Sequence, residues 1–261
     1  MKNYFLLLIL FSKIFASIQQ TDSCLSTIDY ETSKFLSQGK NIFNYTFDSK
    51  NFNNHLYTVS GVLASFILDK SVHKLNLKTK YPSLEPATKF FKNFGEITIL
   101  TSASIGFYFF GSYYQNELLK SYGRDLFTGL FYAGSITTII KFVTGRSRPY
   151  VNEEPYKFRY FQTKNDLTSF PSGHTTVAFT LATITANEFN DPTITTLAYT
   201  TAFGTAIERI YSNNHWFSDV VTAGIIGYTV GKIITNKKNP DNSLQIYPDF
   251  YNNRLNIVYN F

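Results

Sequence analysis

The fold is decided by residues 126–149, Leu126-Phe-Thr-Gly-Leu-Phe-Tyr-Ala-Gly-Ser-Ile-Thr-Thr-Ile-Ile-Lys141-Phe-Val-Thr-Gly-Arg-Ser-Arg148-Pro149. An apolar run over 126–143, long enough for a helix and carrying Lys141 near its end, leads into Arg146, Arg148 and Pro149. Comparable runs recur at 57–68, 97–114, 175–188, 193–207 and 220–234. Breaker clusters separate several of them: Tyr81-Pro-Ser, Asn190-Asp-Pro192 and Asn236-Lys-Lys-Asn-Pro240. Apolar periodicity and breakers together predict an all-α helical bundle of about six core helices.

Three segments carry candidate chemistry. In the first, Lys141 and Arg148 are seven residues apart, nearly two turns of helix, which predicts that both cations share one helix face. Pro149 is expected to stop the helix directly after Arg148. Arg146 would point elsewhere, as a solvated residue or one behind the site. A lone basic pair is usually a solvated face, but here the preceding sequence is apolar, and a lysine at the buried end of such a helix needs an anion. The second segment, Pro171-Ser172-Gly173-His174, stands before an apolar run. Pro and Ser suit a helix start, Gly173 lets a ligand approach the backbone, and the N–H groups of Ser172, Gly173 and His174 would face an anion. In the third, His215 and Asp219 are four apart; on a helix the carboxylate could hold the imidazole N–H and free the other nitrogen to attack. Asn213 or Asn214 is the expected cap, and Arg209 ends the preceding helix. Each segment alone could be a helix cap or a structural hydrogen-bonded pair.

In order and spacing the three segments resemble the type 2 phosphatidic acid phosphatase superfamily, which also holds vanadium haloperoxidases and bacterial class A acid phosphatases. The resemblance covers about residues 126–235. It implies that His215 is the nucleophile of a phosphohistidine mechanism, that Asp219 orients it, and that His174 protonates the leaving oxygen and then activates water. It also implies that Lys141, Arg148, Arg209, Ser172 and Gly173 hold the phosphate. One departure stands out: Glu208 occupies the place before the arginine where the family usually has Ser. Three cations take the part a metal ion plays elsewhere, and His55 and His73 lie far from the motifs with no ligand spacing, so neither metal nor cofactor is expected. The expected partner is a phosphate monoester or diphosphate, with lipid phosphates ahead of soluble ones. A vanadium-dependent haloperoxidase and a non-enzymatic envelope binding protein are the competing readings.

The remaining sequence sets the surroundings. The net charge of +6 favours anionic partners, but there is no groove-reading motif or dense basic run, so nucleic acid is not expected. Residues 1–16 read as a signal peptide, with a lysine, a short apolar run and Ala16, so export to the periplasm or cell envelope is expected. An uncleaved anchor is the alternative. Cys24 is the only cysteine, which excludes an internal disulfide. Residues 17–50 are polar and read as a lead segment without a core of its own, ahead of a helical domain over 51–240 with its motif core at 126–235. Most apolar runs are short for a membrane span and the mean hydropathy is −0.11; only the run at 97–114 comes close. The balance favours a bundle resting on a membrane over one spanning it. Aromatic residues in the 150–170 loop would shape a pocket mouth. In the tail, 241–261, Leu255, Ile257, Tyr259 and Phe261 alternate with other residues at strand period, and residues 245–247 could pair with them through Asn252-Asn253.

Overall fold

The computed structural model describes residues 21–78, 85–236, 244–249 and 254–259. The expected signal segment and the Asn252-Asn253 turn lie outside these residues. Eight α-helices are described: α1 (Thr21–Phe47), α2 (Phe52–Lys78), α3 (Glu85–Lys92), α4 (Ile97–Tyr113), α5 (Glu117–Thr144), α6 (Gly173–Phe189), α7 (Pro192–Tyr211) and α8 (Phe217–Ile234). The class is all-α, as composition and breakers predict. The two helices beyond the expected six are the short α3 and α1, which occupies the supposed lead segment. From Ile42 onward α1 belongs to the main unit, Ile42–Thr235, and Ile42 joins that unit's core. A second unit holds the earlier turns of α1 and a two-stranded antiparallel hairpin, β1 (Leu244–Asp249) and β2 (Arg254–Tyr259). Ile246 stands opposite Ile257.

Within the main unit α6 is the central element, packed against α5, α7 and α8. Leu126 and Leu130 of α5, Ile184 of α6 and Val230 of α8 meet in its core. The approach is close because a side chain is missing where α8 crosses α6: a Cβ on Gly227 would lie 2.5 Å from the Thr176 carbonyl oxygen. Threonine replaces much of the usual aliphatic filling. Thr180 and Thr183 are fully buried, and each donates its hydroxyl to the carbonyl four residues back, at 2.8 Å. Thr138, Thr196 and Thr200 do the same on outward faces, at 2.8, 2.8 and 2.7 Å.

The exterior is apolar over wide areas. Leu63 and Ile67 of α2, Ile99 and Phe110 of α4, Phe131 and Ile139 of α5 and Leu197 of α7 are all exposed. A bundle bathed in water hides such residues. Among the described residues, α5 and α8 have the length and apolarity to cross a membrane. The expected best candidate, α4, has only 17 residues.

The end of α5 departs from expectation. Pro149 does not stop the helix; Gly145 does, as a left-handed cap at φ 57°, with its N–H on the Lys141 carbonyl. Lys141 and Arg148 therefore do not share a helix face. A Cβ at Gly145 would lie 1.7 Å from the Arg159 carbonyl oxygen, so the position excludes side chains by both conformation and space. Gly145→Ala is expected to destabilise the protein by on the order of 2 kcal/mol, read as a lowered thermal midpoint in detergent.

Candidate active site

Each of the three sequence segments is brought in by a helix end. Lys141 sits in the last turn of α5, where its ammonium donates to the carbonyls of Thr168 and Ser169 at 2.5 and 3.3 Å. A lysine has three donors, so one remains for a ligand. Arg148 lies on the loop after α5. Its guanidinium binds the Asn165 carbonyl and side chain at 2.9 and 2.8 Å and reaches Asn214 at 3.5 Å. Arg209, in the last turn of α7, is paired with its neighbour Glu208. The carboxylate that departs from the family pattern thus lies on a predicted phosphate-binding cation.

Ser172 caps α6, its Oγ accepting from the Thr175 N–H at 3.4 Å and the Thr175 hydroxyl at 3.0 Å. The Ser172 N–H donates to the Asp219 carbonyl at 3.0 Å, so it is not part of the expected anion nest. The first-turn N–H groups of Gly173 and His174 remain for that role. Gly173 faces Lys141: a Cβ there would lie 3.8 Å from the lysine Cε. Lys141, Gly173 and His174 line a cavity of about 210 Å³ together with Glu96, Gly134 and Thr137. His174 Nε2 lies 3.1 Å from Glu96 Oε1, and this hydrogen bond holds the Glu96 carboxyl below its usual range.

His215 and Asp219 meet, though not through a shared helix face. Helix α8 starts at Phe217 and its cap is Trp216, not Asn213 or Asn214. Asp219 Oδ2 accepts the Trp216 N–H at 2.9 Å, and this folds the chain back so that His215 Nδ1 lies 3.4 Å from the same oxygen. The His215 backbone N–H binds the Arg209 carbonyl at 3.2 Å. Lys141 and Arg148 stand close enough to act on the His215 charge, and Arg209 acts on His174 and Arg148. The three motifs therefore converge on one site.

Arg146 takes the second of its two expected places, behind the site, and two further partners escaped the sequence reading. Arg146, expected on a solvated face or behind the site, has no exposed surface. Its guanidinium bonds Asp219 and Asp69, each at 2.5 Å, Ser218 Oγ at 2.7 Å and the Pro155 carbonyl at 2.7 Å. The rings of Phe66, Phe158, Phe170 and Trp216 surround it. Asp69, from α2, and Glu96, before α4, are the two further partners. An acid directly after the apolar run 57–68 was the only available signal for Asp69.

Residues 122–242 match the model of the PAP2 superfamily. A curated relative, the lipid A 1-phosphatase of Porphyromonas gingivalis, is 33% identical over 119 residues, 44% of this chain and 24% of the relative. The chain thus aligns with about a quarter of that protein's length. Two solved structures are similar. Aquifex aeolicus LpxE has 24% identity and a TM-score of 0.48, with 66% of this chain and 96% of that one covered. The transmembrane PAP2 type phosphatidylglycerolphosphate phosphatase of Bacillus subtilis has 14% identity and a TM-score of 0.49, with 81% and 98% covered.

Burial pushes the His215 imidazole down from 6.5 to about 3, with Lys141 and Arg148 adding to the effect and Asp219 opposing it. Because the folded value lies below the unfolded one, this histidine's contribution to stability is complete above pH 6.5 and declines as pH falls towards 3. Between pH 7.5 and pH 5 wild type is expected to lose about 2 kcal/mol more stability than His215→Asn, at 1.36 kcal/mol per pH unit. Thermal midpoints of both proteins at the two pH values check this.

Proposed function

We propose that the protein is a metal-independent phosphatase that hydrolyses lipid phosphate monoesters or diphosphates through a phosphohistidine. The observation that carries this reading is the convergence of a buried, neutral imidazole and its carboxylate with Lys141, Arg148 and Arg209. An imidazole kept free of its proton by burial is a competent nucleophile at neutral pH. His215 Nε2 attacks phosphorus, and the bond from phosphorus to the leaving oxygen breaks. His174 gives that oxygen a proton. Water then attacks the phosphohistidine, His174 takes the water's proton, and inorganic phosphate leaves. Asp219 stabilises the positive ring of the intermediate. The three cations and the Gly173 N–H offset charge on the phosphoryl oxygens, which is the work a bound cation does in other phosphoryl-transfer sites.

Two observations support a lipid substrate. The exterior is apolar on α2, α4, α5 and α7, so the bundle is suited to lie within a membrane. The relative from Porphyromonas gingivalis is named for action on a lipid phosphate. We place the chain in the cell envelope, embedded through α5 and α8 together with the apolar faces of their neighbours.

The purified protein in EDTA is expected to hydrolyse an aryl phosphate and phosphatidic acid. His215→Ala should lower turnover by at least about a thousandfold. Activity lost on chelation, or kept in His215→Ala, counts against the mechanism. Carbonate washing of membranes tests the location: the protein is expected to stay in the pellet, and release into the wash would contradict embedding.

A further inference from the structure

The site's charge does not end at Asp219. Asp219 Oδ1 is bound by Arg146 at 2.5 Å, and Oδ2 by Ser169 Oγ at 2.5 Å and the Trp216 N–H at 2.9 Å. The carboxylate facing His215 is thus held from behind by a guanidinium. That guanidinium is shared: its other terminal nitrogen binds Asp69 Oδ2 at 2.5 Å. Asp69 is itself fixed by the Ser218 N–H at 2.8 Å and the Ser218 hydroxyl at 2.7 Å. Asp69, Arg146 and Asp219 all have no exposed side-chain surface, so no solvent screens one from another.

We propose that Asp69 is a positioning residue for the His215 nucleophile, acting through Arg146 and Asp219; this rests on the reading of His215 as nucleophile. The argument is one of charge division. Two carboxylates share one guanidinium, which leaves the cluster with net negative charge beside His215. When His215 bonds to phosphorus its ring becomes positive, and that excess is what stabilises it. Without the Asp69 charge, Arg146 would spend its whole charge on Asp219, and the carboxylate would hold His215 less strongly. Asp69 touches no part of the phosphate site, so its removal should act on bonding to the nucleophile and not on capture of the anion by the cations.

Asp69 also ties α2 to the start of α8, and a purely structural tie must be told apart. Inhibition constants do this, because they do not depend on the fraction of active protein. Vanadate bonds to a nucleophilic histidine and mimics the transferring phosphoryl group, whereas inorganic phosphate tests the cations alone. In Asp69→Asn, vanadate inhibition is expected to weaken by roughly ten- to a hundredfold, the scale on which outer hydrogen-bond partners of a histidine act, and kcat to fall with it. KM and phosphate inhibition should keep their wild-type values. Asn76→Ala cuts another tie of α2, the 2.8 Å bond to the Ile210 carbonyl, and should leave the ratio of the two inhibition constants unchanged. A wild-type ratio in Asp69→Asn, or one altered equally in Asn76→Ala, overturns the proposal. If Asp69→Asn does not fold, Ser218→Ala decides: a smaller rise in the ratio supports the proposal, and no rise overturns it. Turnover surviving in His215→Ala would mean that the nucleophile reading has failed. An inert His215→Ala beside an unshifted Asp69→Asn removes only the role given to Asp69.

Discussion

The buried guanidinium of Arg146 is the interaction on which the site depends. Taking an ion out of water costs several kcal/mol, and here one cation and two carboxylates are all sealed from solvent. The cost is met by direct bonds to Asp69 and Asp219, by Ser218 and the Pro155 carbonyl, and by aromatic rings around the guanidinium. These partners come from α2, the start of α8 and the loop after α5, so one side chain ties together three parts of the chain that are distant in sequence. The Trp216 indole N–H adds a bond to the Ser147 carbonyl at 2.8 Å, next to Arg146. Loss of the Arg146 charge would leave two carboxylates uncompensated in an apolar interior.

The groups of the candidate site sit at helix ends rather than along helix faces. Lys141 is in a last turn capped by Gly145, Ser172 is a cap, and Asp219 accepts the N–H of the residue that caps its own helix. Helix ends offer unpaired N–H groups and let the chain change direction within a few residues. The cup is therefore assembled from turns, and the long helices α5, α6, α7 and α8 hold those turns in register.

Residue order and type made much of this legible beforehand. The apolar runs and breakers gave the helical class, and the three motifs named groups that do converge. What failed was inference from spacing alone. A gap of seven between Lys141 and Arg148, or of four between His215 and Asp219, implies a shared face only if the helix continues. Gly145 in a left-handed conformation and the Trp216 cap break it in both cases. Asp69 was out of reach for a different reason: it lies 77 positions from Arg146, and no local pattern marks a contact at that distance. Arg146 had two readings, solvated or behind the site, and only its partners decide for the second.

Threonine helps to explain a low mean hydropathy beside widely apolar outer faces. A side-chain hydroxyl that donates to the carbonyl one turn back has already spent its polarity inside the helix, and what it turns outward is a methyl group. Thr138, Thr196 and Thr200 are of this kind on the outer faces. An averaged scale counts each as hydrophilic, although the surrounding medium meets something close to valine. The greasiness of such a chain has to be judged from what its helices present, not from the sum of its letters.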